Sequence, residues 1–355
     1  MKTSGSKGQH LRHGISTTNI IIAVVIIIVV ALAAVAYSFG YFGGTTTTKK
    51  TPLKICAISS SAPTDLSWTA TAYNALAYVQ TKYNATTSLT QFVATPDAAA
   101  DLRNYAASGC TIVLAHGAQY EQAVDQVAGS YPNTWFIANA GSNSTPPKNV
   151  VSVSFARYQG AYLLGYLAAS LTKTGIVANI GGANYPIVIR DHNGFVEGAK
   201  AANPHVKVLT SYVGSWTDPV TAKTIAQSLI QQGADVIWTQ ADLSNVGVLG
   251  ACEASHILVM YTDSDPYPVD QDVLVTSVLM GVPQVLSTVV TEINNGTMHG
   301  GYLWQPGMAG GYVSLSPYHD LNTSIPLPLQ TKITQMTQQI ISGQLVVPLN
   351  YTMQS

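Results

Sequence analysis

Charge is scarce in this chain. Lys and Arg number 16 and Asp and Glu 17, so charged side chains make up 9% of 355 residues, against about 25% in a typical soluble domain. The formal net charge of −1 leaves no field to attract a polyanion, which excludes nucleic acid as a partner. Acid is missing from the whole N-terminal stretch, where the first carboxylate is Asp65. Cysteine is rare too: Cys56, Cys110 and Cys252 show no CxxC or Cys/His spacing, so neither a zinc staple nor a disulfide-built scaffold is expected. Their spacing leaves open whether Cys56 and Cys110 pair. No G-x-S-x-G, no H-E-x-x-H and no Gly-rich phosphate loop occurs, which disfavours a triad hydrolase, a zinc protease and a dinucleotide enzyme. No catalytic residue, metal or cofactor is therefore expected, and the chain reads as a non-enzyme.

What is present begins with a long apolar run. Ile20 to Ala36 are all apolar, and no charge falls between Gly14 and Thr48. Carried through Phe39, the run reaches the roughly 20 residues a helix needs to cross hydrocarbon. A cleaved secretory signal has a shorter core, about 7–15 residues. Lys2, Lys7 and Arg12 precede the run, so positive-inside logic keeps residues 1–17 cytoplasmic and places the bulk of the chain outside the cell membrane. Residues 18–40 are then a single transmembrane helix and 41–52 a flexible stalk. The stretch His13 to Asn19 (HGISTTN) resembles archaeal class III, pilin-like signals, which implies cleavage near Gly14 with the helix retained as an anchor. Five N-x-S/T triplets, at Asn84, Asn143, Asn295, Asn322 and Asn350, all lie on the side expected outside and suit a glycoprotein.

From Leu53 the chain alternates β-branched runs with amphipathic segments. Strands are expected at Leu53–Ser59, Leu89–Ala94, Thr111–Ala115, Trp135–Ala138, Val150–Phe155, Gly175–Ile180, Val206–Tyr212, Val236–Thr239, Leu258–Tyr261 and Val273–Leu279. Helical patterns fill Trp68–Lys82, Gln119–Ser130, Tyr158–Thr172 and Pro219–Gln232. This βα rhythm predicts parallel sheets covered on both faces. Ten strands exceed one doubly wound domain, so two Rossmann-like lobes are expected. Ligands of such sheets bind at loops after the carboxyl ends of strands. Those loops are rich in Ser, Asn, Gly and aromatics and poor in acid/base pairs, a composition that favours reversible capture over catalysis.

Five blocks carry a resemblance: Ser154–Gly165 (SFARYQGAYLLG), Lys173–Gly182 (KTGIVANIGG), Gly194–Pro204 (GFVEGAKAANP), Ser211–Asp218 (SYVGSWTD) and Gly233–Ile237 (GADVI). In order and spacing the chain from Leu53 to Pro348 resembles the basic membrane protein family of ABC-transporter solute-binding lipoproteins, which includes purine-nucleoside receptors. The resemblance implies a type I periplasmic-binding fold whose lobes close on a ligand. Residues 53–155 plus 265–312 would form the first lobe and 156–264 plus 313–352 the second, with three crossings. The implied ligand is a nucleoside or purine nucleobase, and the implied partners are the permease subunits of an ABC importer. Family lipoproteins are anchored by an N-terminal Cys; this chain has none there, so its apolar helix takes that role.

The resemblance also nominates site residues. Trp68 stands where the family stacks an aromatic on the base, and Trp216 matches a variant aromatic from the other lobe; the two would sandwich a flat heterocycle. Asp65 either accepts hydrogen bonds from a base edge or caps the helix that starts near it. Asp242 and Asp263 fall at loops where the family has polar and sugar-hydroxyl contacts, though a loop carboxylate can also serve only backbone. His116 and Asn139 lie in or near cleft loops, as does Arg190, which could equally be an exposed helix charge. Asp218 before Pro219 reads as an N-cap. Where family nucleoside receptors place a ribose-binding Lys, this chain has Met280, and Thr69 replaces the usual Asn, which favours a bare base. The rival classes are an extracellular enzyme acting on nucleosides or glycosides, and a receptor for a sugar or another small solute.

Overall fold

The computed structural model describes residues 53–267 and 272–353. The apolar run and stalk lie outside these residues; among the described ones no helix is long and apolar enough to cross a membrane.

Twelve strands are found among the described residues. The first five are β1 (Lys54–Ser59), β2 (Thr86–Thr90), β3 (Ile112–His116), β4 (Trp135–Asn139) and β5 (Val150–Val153). The next five are β6 (Ile176–Gly181), β7 (Lys207–Tyr212), β8 (Val236–Gln240), β9 (Leu258–Asp263) and β10 (Leu274–Met280), followed by β11 (Tyr302–Trp304) and β12 (Val313–Leu315). They form two six-stranded sheets, ordered β11-β5-β4-β3-β1-β2 and β12-β10-β9-β8-β6-β7. Every pairing is parallel except that of β12 with β10. Central strands such as β3 (IVLAH) are buried along their whole length, because helices cover both faces of a parallel sheet.

The helices are α1 (Trp68–Tyr83), α2 (Ala98–Ala107), α3 (Glu121–Ala128), α4 (Arg157–Leu171), α5 (Pro186–Ala202), α6 (Pro219–Gln231), α7 (Asn245–Ser255), α8 (Val282–Asn295) and α9 (Leu327–Ile341). Helices α4 and α5 cross at contact distance. A Cβ on Gly198 would stand 1.8 Å from the Tyr162 carbonyl oxygen, so only glycine permits this approach. The close crossing brings the N-terminus of α4 beside the first turns of α5, where the charges of the cleft are found.

The chain passes between the lobes three times: between β5 and α4, between β10 and α8, and between β11 and β12. The expected boundary needs one correction. Residues 274–280 were assigned to the first lobe, but β10 is bonded to β9 and β12 in the second sheet. The return to the first lobe comes at Gly281, after which α8 packs on α1 and the Tyr83 hydroxyl lies 2.6 Å from Ser287 Oγ. A second correction concerns β2, expected at Leu89–Ala94. The edge strand is instead the polar TTSLT, and Phe92, which suggested a strand, is left-handed (φ 56°) and 71% exposed. Strands β11 and β12, three residues each, carried no periodic signal.

Cys56 and Cys110 form a disulfide, with Cα atoms 6.1 Å apart. It ties β1 to the turn that feeds β3. Of the five glycosylation triplets, Asn84, Asn295 and Asn322 are exposed. The Asn143 amide donates to Asp125 Oδ2 at 2.9 Å.

Candidate ligand-binding cleft

In both lobes the loops after the carboxyl ends of the strands meet at a shared cavity. Its walls include Ser60, Trp68 and Gln119 from the first lobe and Arg157, Trp216, Gln240, Asp242 and Asp263 from the second. Trp68 and Trp216 thus line one chamber, one from each lobe.

Trp68 is held from behind. Its indole Nε1 donates to the His116 carbonyl at 3.1 Å, and its ring stacks on the His116 imidazole at 4.3 Å between centroids. Asn139 Nδ2 donates to His116 Nδ1 at 2.8 Å, which leaves His116 Nε2 as the donor to the Trp68 carbonyl, also 2.8 Å away. The imidazole is therefore neutral. Burial lowers its pKa to about 4, with a further push from Arg157, against the bond to the Trp68 carbonyl. Expected as ligand contacts, His116 and Asn139 are buried, do not line the cavity and spend their polar atoms on one another, on the Trp68 carbonyl and on the Ala140 N–H. They fix the indole's plane.

Asp65 resolves toward its structural alternative. Oδ1 accepts from the backbone N–H groups of Ser67 and Ala70, and Oδ2 accepts from that of Thr69 at 2.7 Å. These are among the orphan donors of the first turn of α1, so the carboxylate caps the helix that presents Trp68. Asp218 likewise caps α6, accepting from Thr221 N at 3.0 Å. The loop before it carries Trp216, whose indole packs against Gly182, just past the end of β6. A Cβ on Gly182 would meet Trp216 Cε3 at 2.2 Å, so the close approach requires glycine there.

The floor of the cleft is an ion network that sequence reading missed. Arg157 Nε donates to Asp191 Oδ2 at 3.0 Å, and Arg157 Nη1 donates to Asp263 Oδ1 at 2.6 Å. Arg190 is no exposed helix charge: it is 1% exposed and donates twice to Asp191 Oδ1 and once to the carbonyl of Phe155, in the first crossing. Gln240 Nε2 completes the set on Asp191 Oδ2, while Gln240 Oε1 is buried without a partner. Burial opposes the charge of Arg157, but Asp263 and Asp191 hold its pKa above the ordinary range. Its guanidinium carbon lies 5.8 Å from the Trp68 ring centroid, within cation–π range. The signal for Arg157 was its place inside the densest matched block, SFARYQGAYLLG, but its partners lie far along the chain.

Asp242 and Asp263 both face the cavity, and both have left-handed backbones (φ 48° and 74°), a conformation non-glycine residues adopt at a cost. Asp263 is committed to Arg157. Desolvation in the cleft, reinforced by Asp263 and Asp65, pushes Asp242 well above the usual carboxylate range despite Arg157, so this side chain keeps its proton to higher pH than an ordinary carboxyl. Met280 lines a different cavity, beside the second crossing at Gly281. Between the two cavities the lobes are joined directly: Ser67 Oγ donates to the Thr262 carbonyl at 3.2 Å, and Ser264 Oγ donates to the Leu66 carbonyl.

Comparison with known proteins matches residues 53–351 to the family described as ABC transporter substrate-binding protein PnrA-like. Transcriptional activator protein Med of Bacillus subtilis is 27% identical, covering 79% of this chain and 83% of Med. Basic membrane protein A of Borreliella afzelii is 28% identical, covering 59% of this chain and 64% of that one. Among solved structures, an ABC transporter solute-binding protein from Aeropyrum pernix K1 superposes with a TM-score of 0.75 at 20% identity, over 84% of this chain and 94% of its own. That likeness shows the two-lobed fold.

Proposed function

Because the chain belongs to the PnrA-like family of ABC transporter substrate-binding proteins, we propose that it is a membrane-anchored extracellular receptor that captures a purine nucleobase or nucleoside and delivers it to permease subunits. The observation that carries this reading is the placement of Trp68 and Trp216 in one chamber, one from each lobe. Two indoles, one of them held in plane by His116, suit a flat heterocycle. Around them, Gln240 Oε1 offers an acceptor and the Asp242 carboxyl a second polar group to a base edge. The mechanism is closure: a ligand touching both lobes favours the arrangement in which both aromatics reach it. Arg157 couples the two events, since it lies against Trp68 while bonded to Asp191 and Asp263. No bond is made or broken in the ligand.

An exterior location agrees with the buried disulfide, which persists in oxidising compartments, and with the exposed triplets at Asn84, Asn295 and Asn322. Anchoring by the apolar run at residues 18–40, and retention of that run after cleavage near Gly14, complete the proposal.

Thermal unfolding of the purified protein against purine bases, nucleosides, amino acids and sugars tests the reading. At 100-fold excess over Kd, a ligand of the native state adds about 2.7 kcal/mol, which for a domain of this size raises Tm by about 5 °C. Removing one stacked aromatic costs about 1–3 kcal/mol per base, so Trp68→Ala and Trp216→Ala should each weaken purine binding about 5- to 150-fold. A purine shift that both variants retain in full, or a shift with amino acids alone, would overturn the assignment.

A further inference from the structure

The ion network on the cleft floor leaves two polar atoms without partners, and they belong to neighbouring side chains. Arg157 is 5% exposed and lines the chamber. Its Nε is taken by Asp191 and its Nη1 by Asp263, while no hydrogen bond from the third nitrogen, Nη2, is found among the described residues. Gln240 is 2% exposed and lines the same chamber. Its Nε2 donates to Asp191 Oδ2 at 3.1 Å, the same oxygen that accepts from Arg157 Nε at 3.0 Å. A carboxylate only accepts, so this bond fixes which way the amide points and leaves Oε1 as its free end. Gln240 Oε1 is buried without a partner. One oxygen of Asp191 thus holds a guanidinium with a spare N–H beside an amide with a spare C=O.

An unpaired buried group is costly, and more so where it is charged. A ligand that satisfies both groups relieves both, whereas one that satisfies only the donor keeps the acceptor stranded. The guanidinium carbon lies 5.8 Å from the Trp68 ring centroid, so a ring stacked on that indole comes up against the pair. The pair is a donor beside an acceptor. Its complement is an acceptor beside a donor on one ring, which is a lactam (–CO–NH–) or an amidine (–N=C–NH2) edge. Among rings substituted at N9, hypoxanthine and guanine carry the first and adenine the second. Unsubstituted purine offers acceptors alone.

We infer that Arg157 and Gln240 are the specificity-determining pair of the receptor: Arg157 Nη2 donates to, and Gln240 Oε1 accepts from, a lactam or amidine edge of the bound ring, and a ring whose edge bears acceptors alone is rejected. The inference rests on the reading of this chamber as the site of the ring. It names the feature of the heterocycle that is selected, whether or not a sugar is attached.

Calorimetric titration of the full-length protein tests it with rings carried both as 9-methyl bases and as 9-ribosides, since a free N9–H would supply a second edge of the same kind. Hypoxanthine and adenine should bind. Removing the donor, by 1-methylation of hypoxanthine or dimethylation of the adenine amino group, should weaken binding at least about tenfold. Unsubstituted purine, which lacks the donor without added bulk, should show the same loss. Removing the acceptor, in 1-deazaadenine, should also cost about tenfold or more. In Gln240→Met the loss on removing the donor should shrink below about threefold, and in Arg157→Lys the loss on removing the acceptor should do likewise. A purely structural role for either residue would weaken every probe alike and leave these ratios as they are. The wild-type series needs no variant, so it decides the edge requirement even where a substitution in the network prevents folding. Affinities within about threefold across the wild-type series would overturn the pair and leave the ring site standing. Ratios unchanged in both variants would assign the reading to another group, such as Asp242, and overturn the pair as well. Failure of every ring to bind overturns the ring site and the pair together.

Discussion

Acidification from pH 7 to pH 4 should cost the folded domain several kcal/mol through its buried histidines. The cause is two buried imidazoles held neutral. His116 has a pKa lowered to about 4, by burial first and by Arg157 after it. His192 is lowered to about 3, again by burial first; Asp191 acts the other way and Arg157 adds to the lowering. Unfolded, both return to about 6.5, so across this window each of these histidines binds more protons in the unfolded chain than in the native one and its contribution to stability rises with pH, whereas Asp242, raised by burial, works in the opposite direction. The contribution is fully present above pH 6.5 and is lost as pH falls through 6.5 toward the folded values. At about 1.4 kcal/mol per pKa unit, each histidine accounts for on the order of 3 kcal/mol by pH 4. His192 gives the cleaner test, since both ring nitrogens are buried without partners and the ring packs among Tyr212 and Trp238. Phe fits that setting, so His192→Phe should be no less stable than the wild type at pH 7 and should lose about half of the acid sensitivity. Urea titrations at pH 7, 5.5 and 4 would decide it; a slope unchanged in His192→Phe would sink the assignment.

Loss of the Cys56–Cys110 bridge should cost about 4 kcal/mol, the chain-entropy value for a closed loop of this length; the two cysteines are 54 residues apart. Both are almost fully buried, at 0 and 1% exposure. Reductant added to the native protein should therefore act slowly and only through unfolding, whereas Cys56→Ala/Cys110→Ala should show the full loss at once. The strands it ties, β1 and β3, carry Ser60 and His116 at their ends, so the double variant should also bind ligand less tightly near its unfolding midpoint. Denaturant midpoints of the oxidised, reduced and double-variant forms measure this directly. Coincident midpoints would mean that the native lobe gains nothing from the link.

The parallel βα layout was legible in the sequence because it rests on local periodicity. Each helix expected from its pattern lies within two residues of its observed ends, as with Pro219–Gln231 against Pro219–Gln232. The missed strands lack that signal: β2 is an exposed edge of Thr and Ser, and β11 and β12 are three residues long. The misplaced boundary had another cause. A run like LVTSVLM reads as a strand equally well in either sheet, and only its pairing with β9 and β12 assigns it. In the cleft, Trp68, Trp216, Asp242 and Asp263 converge as the strand-end rule implies. His116 and Asn139 also sit at strand ends, but their side chains turn behind Trp68, an outcome set by contacts 48 and 23 residues away in sequence. Arg157 escaped notice because its role depends on α4 and α5 touching at Gly198, which no local pattern shows.

Asp191 receives four donated bonds from three residues: one from Arg157, two from Arg190 and one from Gln240. Removing one partner of a buried charge cluster costs about 3–5 kcal/mol, because it strands the others. In evolutionary terms such a hub behaves as a single heritable character. A change in one member alone carries that full cost, so the set is expected to change as a block. Change in ligand preference must then travel through positions outside it, such as Trp216 and Asp242, whose side chains can be exchanged while the floor beneath them stays fixed.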